Sequence, residues 1–300
     1  MEHATKKTLL LALSRLQLAL ACILVTRIFA AESVDGPVYE YGFTGYLQQQ
    51  SMSYQPFGRW PGLRTKVLSE DQASERLAVY AEFPAQWRSA ALAAAEQSID
   101  IVVLDGQLEF GENTLQKFDF AFVPPGVRPP AMRTNALVHA LLFFDPPAPD
   151  QAAVARQRER GAYVTHFDES RWQPASLAKR AGVAADLRIF HLKKDPFTAA
   201  RTWYVKLDSG MQVPWEVHTM AEEGYVMRGG YRLAECLPQR TVIGDYSAGG
   251  YFWRPGGIAH SGPDSGPKGS VIWLQRTQVA LDVVFYRQCR EGRTLEPLTR

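Results

Sequence analysis

Apolar residues along this chain come in short runs. "LAVYAEF" (77–83), "DIVVLD" (100–105), "FDFAFV" (118–123), "TWYVKLD" (202–208) and "GYFW" (250–253) are rich in Val, Ile, Tyr, Phe and Trp, and Gly or Pro falls close by. Such runs, closed by turn residues, predict β-strands of a sandwich or barrel and not alternating βαβ units. One stretch departs from this. "DQAAVARQRERGAY" from 150 has helical periodicity and high charge, and predicts a linking helix. "SLAKRAGVAADL" (176–187) suits a second short helix, and the Ala-rich "EFPAQWRSAALAAAEQS" (82–98) has helical composition too.

The runs also repeat. "GLRTKVLSED" (62–71) matches "DLRIFHLKKD" (186–195), each followed by an Arg (Arg76, Arg201) and a strand-like run. "DIVVLDGQLEFGE" (100–112) matches "EGYVMRGGYRLAE" (223–235), and "FDFAFVPPGVRPP" (118–130) matches "GGYFWRPGGIAHS" (249–261). The order is kept and the offset drifts slowly. The alignment sets 82–98 opposite the strand-bearing "KLDSGMQVPWEVHTMAE" (206–222), which fixes its place in the topology and leaves its local conformation open. The expectation is an all-β protein of two barrels: 34–149 and 186–292, joined by a helical linker at 150–185.

The N-terminus has a different character. Lys6 and Lys7 precede the apolar "TLLLALSRLQLALACILV", and "RIFAAES" offers small residues for cleavage near Ala30 or Ala31. This pattern predicts a signal peptide at 1–31 and a periplasmic or secreted protein. Arg15, Gln17 and Arg27 interrupt the apolar run and count against a spanning helix, so an N-terminal anchor is the weaker alternative. The formal charge is +2. The leader's Glu2, Lys6, Lys7, Arg15 and Arg27 supply +3 of it, which leaves about −1 and no basic patch for nucleic acid. Beyond Cys22 the chain keeps Cys236 and Cys289, able to form one disulfide in an oxidising compartment or to stay as two buried thiols.

Chemistry concentrates in "PWEVHTMAEEGYVMRGG" (214–230) and "RPGGIAHSG" (254–262). Alternate strand residues face one way, so Glu216 and His218 share a face and Glu222 keeps their parity. A turn at Pro255-Gly256-Gly257 delivers His260 to the same place. Imidazoles and carboxylates converging inside a barrel suit a divalent transition metal and not calcium. A metal-free hydrogen-bonded Glu–His cluster is the alternative. There is no G-x-S-x-G elbow, P-loop, dinucleotide fingerprint or C-x-x-C pair.

These two blocks resemble the paired motifs of the cupin superfamily. The first, His-x-His, three or four residues, Glu, six residues, Gly, reads here as Glu216-x-His218, three residues, Glu222, six residues, Gly229. The second, Gly, five residues, Pro-x-Gly, two residues, His, is met by Gly249, Pro255, Gly257 and His260. The resemblance extends to the ChrR-like cupins and related exported bicupins. It implies two jelly-roll barrels and a metal (Fe, Mn or Zn) held by His218, Glu222, His260 and Glu216. The departure is Glu216, which stands where a histidine is usual. It serves either as fourth ligand or as a catalytic base beside a two-histidine, one-carboxylate site. Glu223 is the runner-up to Glu222. The first repeat lacks the ligands: the matching positions are Ala95, Ile99 and Pro129, so that barrel reads as structural. His139, His166 and His191 read as structural too.

Trp203, Tyr225, Tyr251, Trp253, Arg254 and Trp273 are candidates to wall a small-molecule pocket. Tyr251 and Trp253 share one strand face and Phe252 and Arg254 the other, and the pattern does not say which set points inward. The function expected is a metal-dependent enzyme of oxygenase, lyase or isomerase type acting on a small polar molecule. The alternative is a non-catalytic ligand- or zinc-sensing cupin. A homodimer through barrel edges is expected, with no nucleic-acid partner.

Overall fold

The structure is a computed structural model and describes residues 31–89, 92–175 and 187–289. The leader and the 176–186 part of the expected second helix lie outside the described residues. No described helix is long and apolar enough to cross a membrane.

The short runs form strands, and the strands form two barrels. The first barrel's main sheet runs in the order Gln55–Pro56, Arg64–Asp71, Arg76–Phe83, Val138–Asp145, Ser98–Asp105, Phe120–Val123, Tyr163–Thr165. The second barrel repeats this with Gln173–Pro174, Arg188–Lys194, Arg201–Leu207, Val271–Thr277, Glu222–Arg228, Gly250–Arg254, Phe43–Gln48, and adds Val38–Glu40. The repeat persists in detail. A bulge sits at Leu68 in one barrel and at Leu192 in the other, which are matched positions. Gly106 and Gly229 both have φ of +82°, and a Cβ there would meet the carbonyl oxygens of Leu137 at 2.6 Å and Ser270 at 2.2 Å. Only glycine fits such a turn.

Residues 32–48 correct the expected boundary at 34. Glu32–Ser33 pairs with Thr241–Ser247, and Phe43–Gln48 pairs with Gly250–Arg254, so this segment completes the second barrel.

Period-2 alternation sorts the side chains into three cores. Phe57, Trp60, Phe83, Ile101, Leu142 and Phe144 fill the first barrel. Trp203, Val205, Val226, Tyr231, Leu233 and Val271 line the second. The opposite faces of the same strands, including Tyr80, Val102, Phe143, Tyr204, Ile272 and Leu274, meet between the barrels. Six ionisable groups are sealed in that interface. Arg276 reaches Asp100 at 3.0 Å and Asp145 and Glu223 at 2.5 Å each. Lys193 holds both Asp100 oxygens at 2.8 Å, and Arg76 lies 3.6 Å from Glu223. Three carboxylates thus face three cations, which offsets the cost of desolvating each.

The linking helix Gln151–Arg160 is present. Asp150 caps it by accepting from the amides of Ala152 (2.9 Å) and Ala153 (3.2 Å), and Gly161 ends it at positive φ. The described part of 84–97 forms turns with one bridge, Arg88 to Arg133, and no helix. Trp87 from this stretch packs into the first core, where a helix would have left that wall open.

Candidate metal centre

The site lies where the second barrel's two sheets face each other. Trp215–Val217 and Ala259–His260 are antiparallel neighbours, with Glu216 directly opposite His260. Gly230–Cys236 pairs on the other side of His260 and puts Glu235 opposite it. Glu222 and Arg254 reach in from the facing sheet, where they are themselves register partners. The Pro-Gly-Gly turn is what lets the two motifs close. The Gly257 amide donates to the His218 carbonyl at 2.8 Å, and a Cβ at Gly256 would lie 2.1 Å from the Thr219 carbonyl oxygen. Ser261, next to His260, is held at φ of +75°, an uncommon conformation for a side-chain-bearing residue.

One ligand atom each from Glu216, His218 and His260 lie within 4.8 Å of one another. His260 Nε2 is 3.2 Å from Glu216 Oε1 and 3.6 Å from Glu222 Oε2. His218 Nδ1 donates to the backbone carbonyl of Asp282, which leaves Nε2 as the bare lone pair facing the cluster. The Asp282 carboxylate in turn accepts from the Thr219 amide (2.9 Å) and hydroxyl (2.6 Å) and fixes that loop. Glu222 is anchored by one oxygen on Arg254. Arg254 also grips Glu235 with two nitrogens, at 2.9 and 2.5 Å.

Two polar atoms are left over. His218 Nε2 and Glu222 Oε1 are buried, have no hydrogen-bond partner and face each other across 3.7 Å. Buried polar atoms are seldom orphaned, and a site with two such acceptors is built for a positive charge between them. Formal charge agrees. Glu216, Glu222 and Glu235 against Arg254 leave −2 when both histidines are neutral. A divalent cation balances that. Burial and Arg254 lower the His260 pKa, but the hydrogen bond and charge of Glu216 and the charge of Glu222 outweigh them, and the pKa ends above its ordinary value. Burial raises the Glu216 pKa, yet the bond to His260 and the charges of His260, His218 and Arg254 hold it below the usual carboxylate range.

A cavity of about 430 Å³ opens onto the cluster. Of the candidate pocket residues, Trp203, Arg254 and Trp273 line it. Tyr225, Tyr251 and Trp253 do not. They lie on the opposite strand face, Tyr225 and Tyr251 in the inter-barrel core and Trp253 against it. Tyr251 donates to Glu223 at 2.6 Å there, and Arg76 stacks 3.5 Å above Trp253. Phe252 and Arg254 are the inward pair, and Glu222, not Glu223, faces the site. Glu235 was missed. Its parity with Tyr231 and Leu233, two inward apolar residues, was the available signal. Cys236, one residue on, is disulfide-bonded to Cys289.

No family model matches the sequence, and no curated protein matches it. Its likeness to known proteins is one of structure. A protein described as a putative glyoxylate-induced protein from Pseudomonas aeruginosa superposes with a TM-score of 0.62 at 17% identity, over 84% of this chain and 95% of that one. Protein Ylba from E. coli gives 0.60 at 10% identity, over 84% and 97%. A putative dioxygenase from Nostoc punctiforme gives 0.55 at 14%, over 81% and 86%. Lactobacillus farciminis oxalate decarboxylase, solved as a formate complex, gives 0.57 at 10%, over 86% and 90%. These neighbours are cupin-type proteins, and the likeness is one of fold: this chain too has two jelly-roll barrels in one polypeptide.

Proposed function

We propose that the second barrel holds one divalent transition metal (iron, manganese or zinc) through Glu216, His218 and His260, and that the protein is a metal-dependent enzyme acting on a small polar organic molecule. The observation that carries this is the orphaned pair, His218 Nε2 and Glu222 Oε1, inside a cluster with surplus negative charge. A bound cation there supplies Lewis acidity toward a substrate oxygen or, with iron or manganese, a redox centre.

The chain's own residues set the rest. Asp282 fixes the His218 tautomer. Arg254 pins one oxygen of Glu222 and leaves Oε1 free, either as a fourth ligand atom or as the place where a substrate proton is held. The sequence offered Glu216 either as fourth ligand or as base, and Glu222 as ligand; we read Glu216 as the ligand and Glu222 Oε1 as the freer group. The aromatic and aliphatic walls exclude water from the ligand's middle. The open cavity is what favours an enzyme over a non-catalytic sensor of the ChrR-like kind. The neighbours' descriptions as a putative dioxygenase and an oxalate decarboxylase are consistent with oxidoreductase or lyase chemistry. Export and a homodimer through barrel edges belong to the same proposal.

Elemental analysis tests it. Protein purified without chelators carries stoichiometric metal, and His218→Ala loses it while keeping its fold by circular dichroism. Wild-type protein that holds no metal even after supplementation refutes it.

A further inference from the structure

The cavity has a second polar group along its lining. Arg188–Lys194 and Arg201–Leu207 are antiparallel neighbours, and Lys194 is the register partner of Arg201. Residues directly opposite share a sheet face, and like charges so placed repel. Both line the cavity, as do His191 and Gln275. Neither Lys194 nor Arg201 makes an ion pair among the described residues. Arg254 inside this barrel, and Arg276 and Lys193 between the barrels, are each matched to carboxylates. His191 sits one bulge away, and its Nδ1 is buried without a partner. Burial first, then the charges of Lys194 and Arg201, hold the His191 pKa down to about 4. The imidazole is therefore neutral at pH 7 and offers both a lone pair and an N–H. Trp203, Val205, Val226, Phe252 and Trp273 supply the apolar wall beside both groups.

Two facing cations and an unpartnered imidazole at the rim of an apolar cavity lack a negative group. We infer that Lys194 and Arg201 bind an oxyanion of the ligand, a carboxylate or a phosphate, while its second polar group reaches the Glu216–His218–His260 cluster. The ligand class is a small organic anion with a second polar group and an apolar flank. Arg201 supplies the planar fork that matches such an oxyanion, and Lys194 supplies a mobile point charge. Only the contact with that cluster depends on the metal reading; the anion subsite stands on its own residues.

The test is a titration of the full chain, zinc-loaded and chelator-stripped, followed by the fluorescence of Trp203 and Trp273. The probes are glutarate, 3-phosphonopropionate, butyrate and the neutral glutaramide. Zinc-loaded wild type binds at least one of the two dianions, and the tighter one identifies carboxylate or phosphate. Butyrate binds more weakly, and glutaramide does not bind. The Lys194→Gln, Arg201→Gln double variant loses about tenfold or more in dianion affinity with its zinc content unchanged. Dianion binding equal to wild type in that variant overturns the inference. So does glutaramide binding as well as glutarate, or a zinc-loaded wild type that binds neither dianion. If wild type retains no zinc but the Lys194- and Arg201-dependent affinity persists, the subsite stands and the metal proposal falls. If zinc is held and the double variant matches wild type, the reverse is true. Should the double variant fail to fold, the exposed Lys194→Gln alone and the salt dependence of wild type decide. Glutarate affinity falls as ionic strength rises; a flat dependence overturns the inference.

Discussion

Replacing Arg254 with Met removes the one guanidinium that balances the site. Arg254 is 2% exposed, and its partners Glu222 and Glu235 are 1% and 0% exposed. Its hydrogen bonds reach one carboxylate with two nitrogens and the other with one. Met fills part of the volume but leaves buried Glu222 and Glu235, with half-buried Glu216 beside them, without a fixed cation. Breaking a buried ion pair from one side costs about 3–5 kcal/mol, because the surviving charge stays in a poor solvent. At roughly 2–4 °C per kcal/mol for a chain of this order of size, the melting temperature drops by about 6–20 °C. Differential scanning calorimetry and urea unfolding of metal-stripped protein measure the loss. The reasoning makes a second demand. Glu235→Gln added to Arg254→Met restores the original charge, so the double variant is more stable than the single by a coupling of about 1–3 kcal/mol. A loss below about 1 kcal/mol for Arg254→Met, or a double variant no better than the single, refutes the charge accounting.

Other outcomes follow from the same geometry. Metal affinity rises with pH through and above 6.5, because His260 keeps its proton beyond that value in the metal-free chain and the metal must displace it. The sign for stability is opposite: the raised His260 pKa stabilises the metal-free fold fully below 6.5, and this is lost as pH rises through the raised value. Calorimetric titration with zinc across that range, with proton release read from buffers of different ionisation enthalpy, checks both. Replacing Cys236 and Cys289 by Ser opens a crosslink between residues 53 apart and costs about 2–4 kcal/mol. It also frees the Val284–Tyr286 strand that follows Asp282, so metal occupancy falls along with stability. Unchanged occupancy in the folded variant would mean that the disulfide does not support His218.

The strands, the repeat and the Pro-Gly-Gly turn were legible because each is local. Val102 and Leu274 alternate with neighbours on the other face whatever surrounds them, and Gly106 and Gly229 carry a backbone requirement that no other residue meets. The partners of a strand are not local. Residues 43–48 sit where the sequence set the first barrel, and only the folded chain pairs them with Gly250–Arg254 in the second, about two hundred residues along. The Cys236–Cys289 pairing is the same kind of fact, left open by spacing and decided by proximity.

The site divides along the same line. Sequence alone named Glu216, His218, Glu222 and His260, because motif spacing survives in one dimension. It could not tell an inward face from an outward one in a strand that is apolar on both sides. Tyr251 and Trp253 are as hydrophobic as Phe252, and in a two-barrel protein both faces are buried: one fills a barrel and the other seals the interface. Hydrophobicity therefore carries no direction there. Nor could it show Glu235 behind Arg254, or Lys194 opposite Arg201, because charge balance and cross-strand register are sums over residues far apart in the chain. The sequence determined which side chains were available for chemistry; packing of the two sheets decided which of them share one cavity.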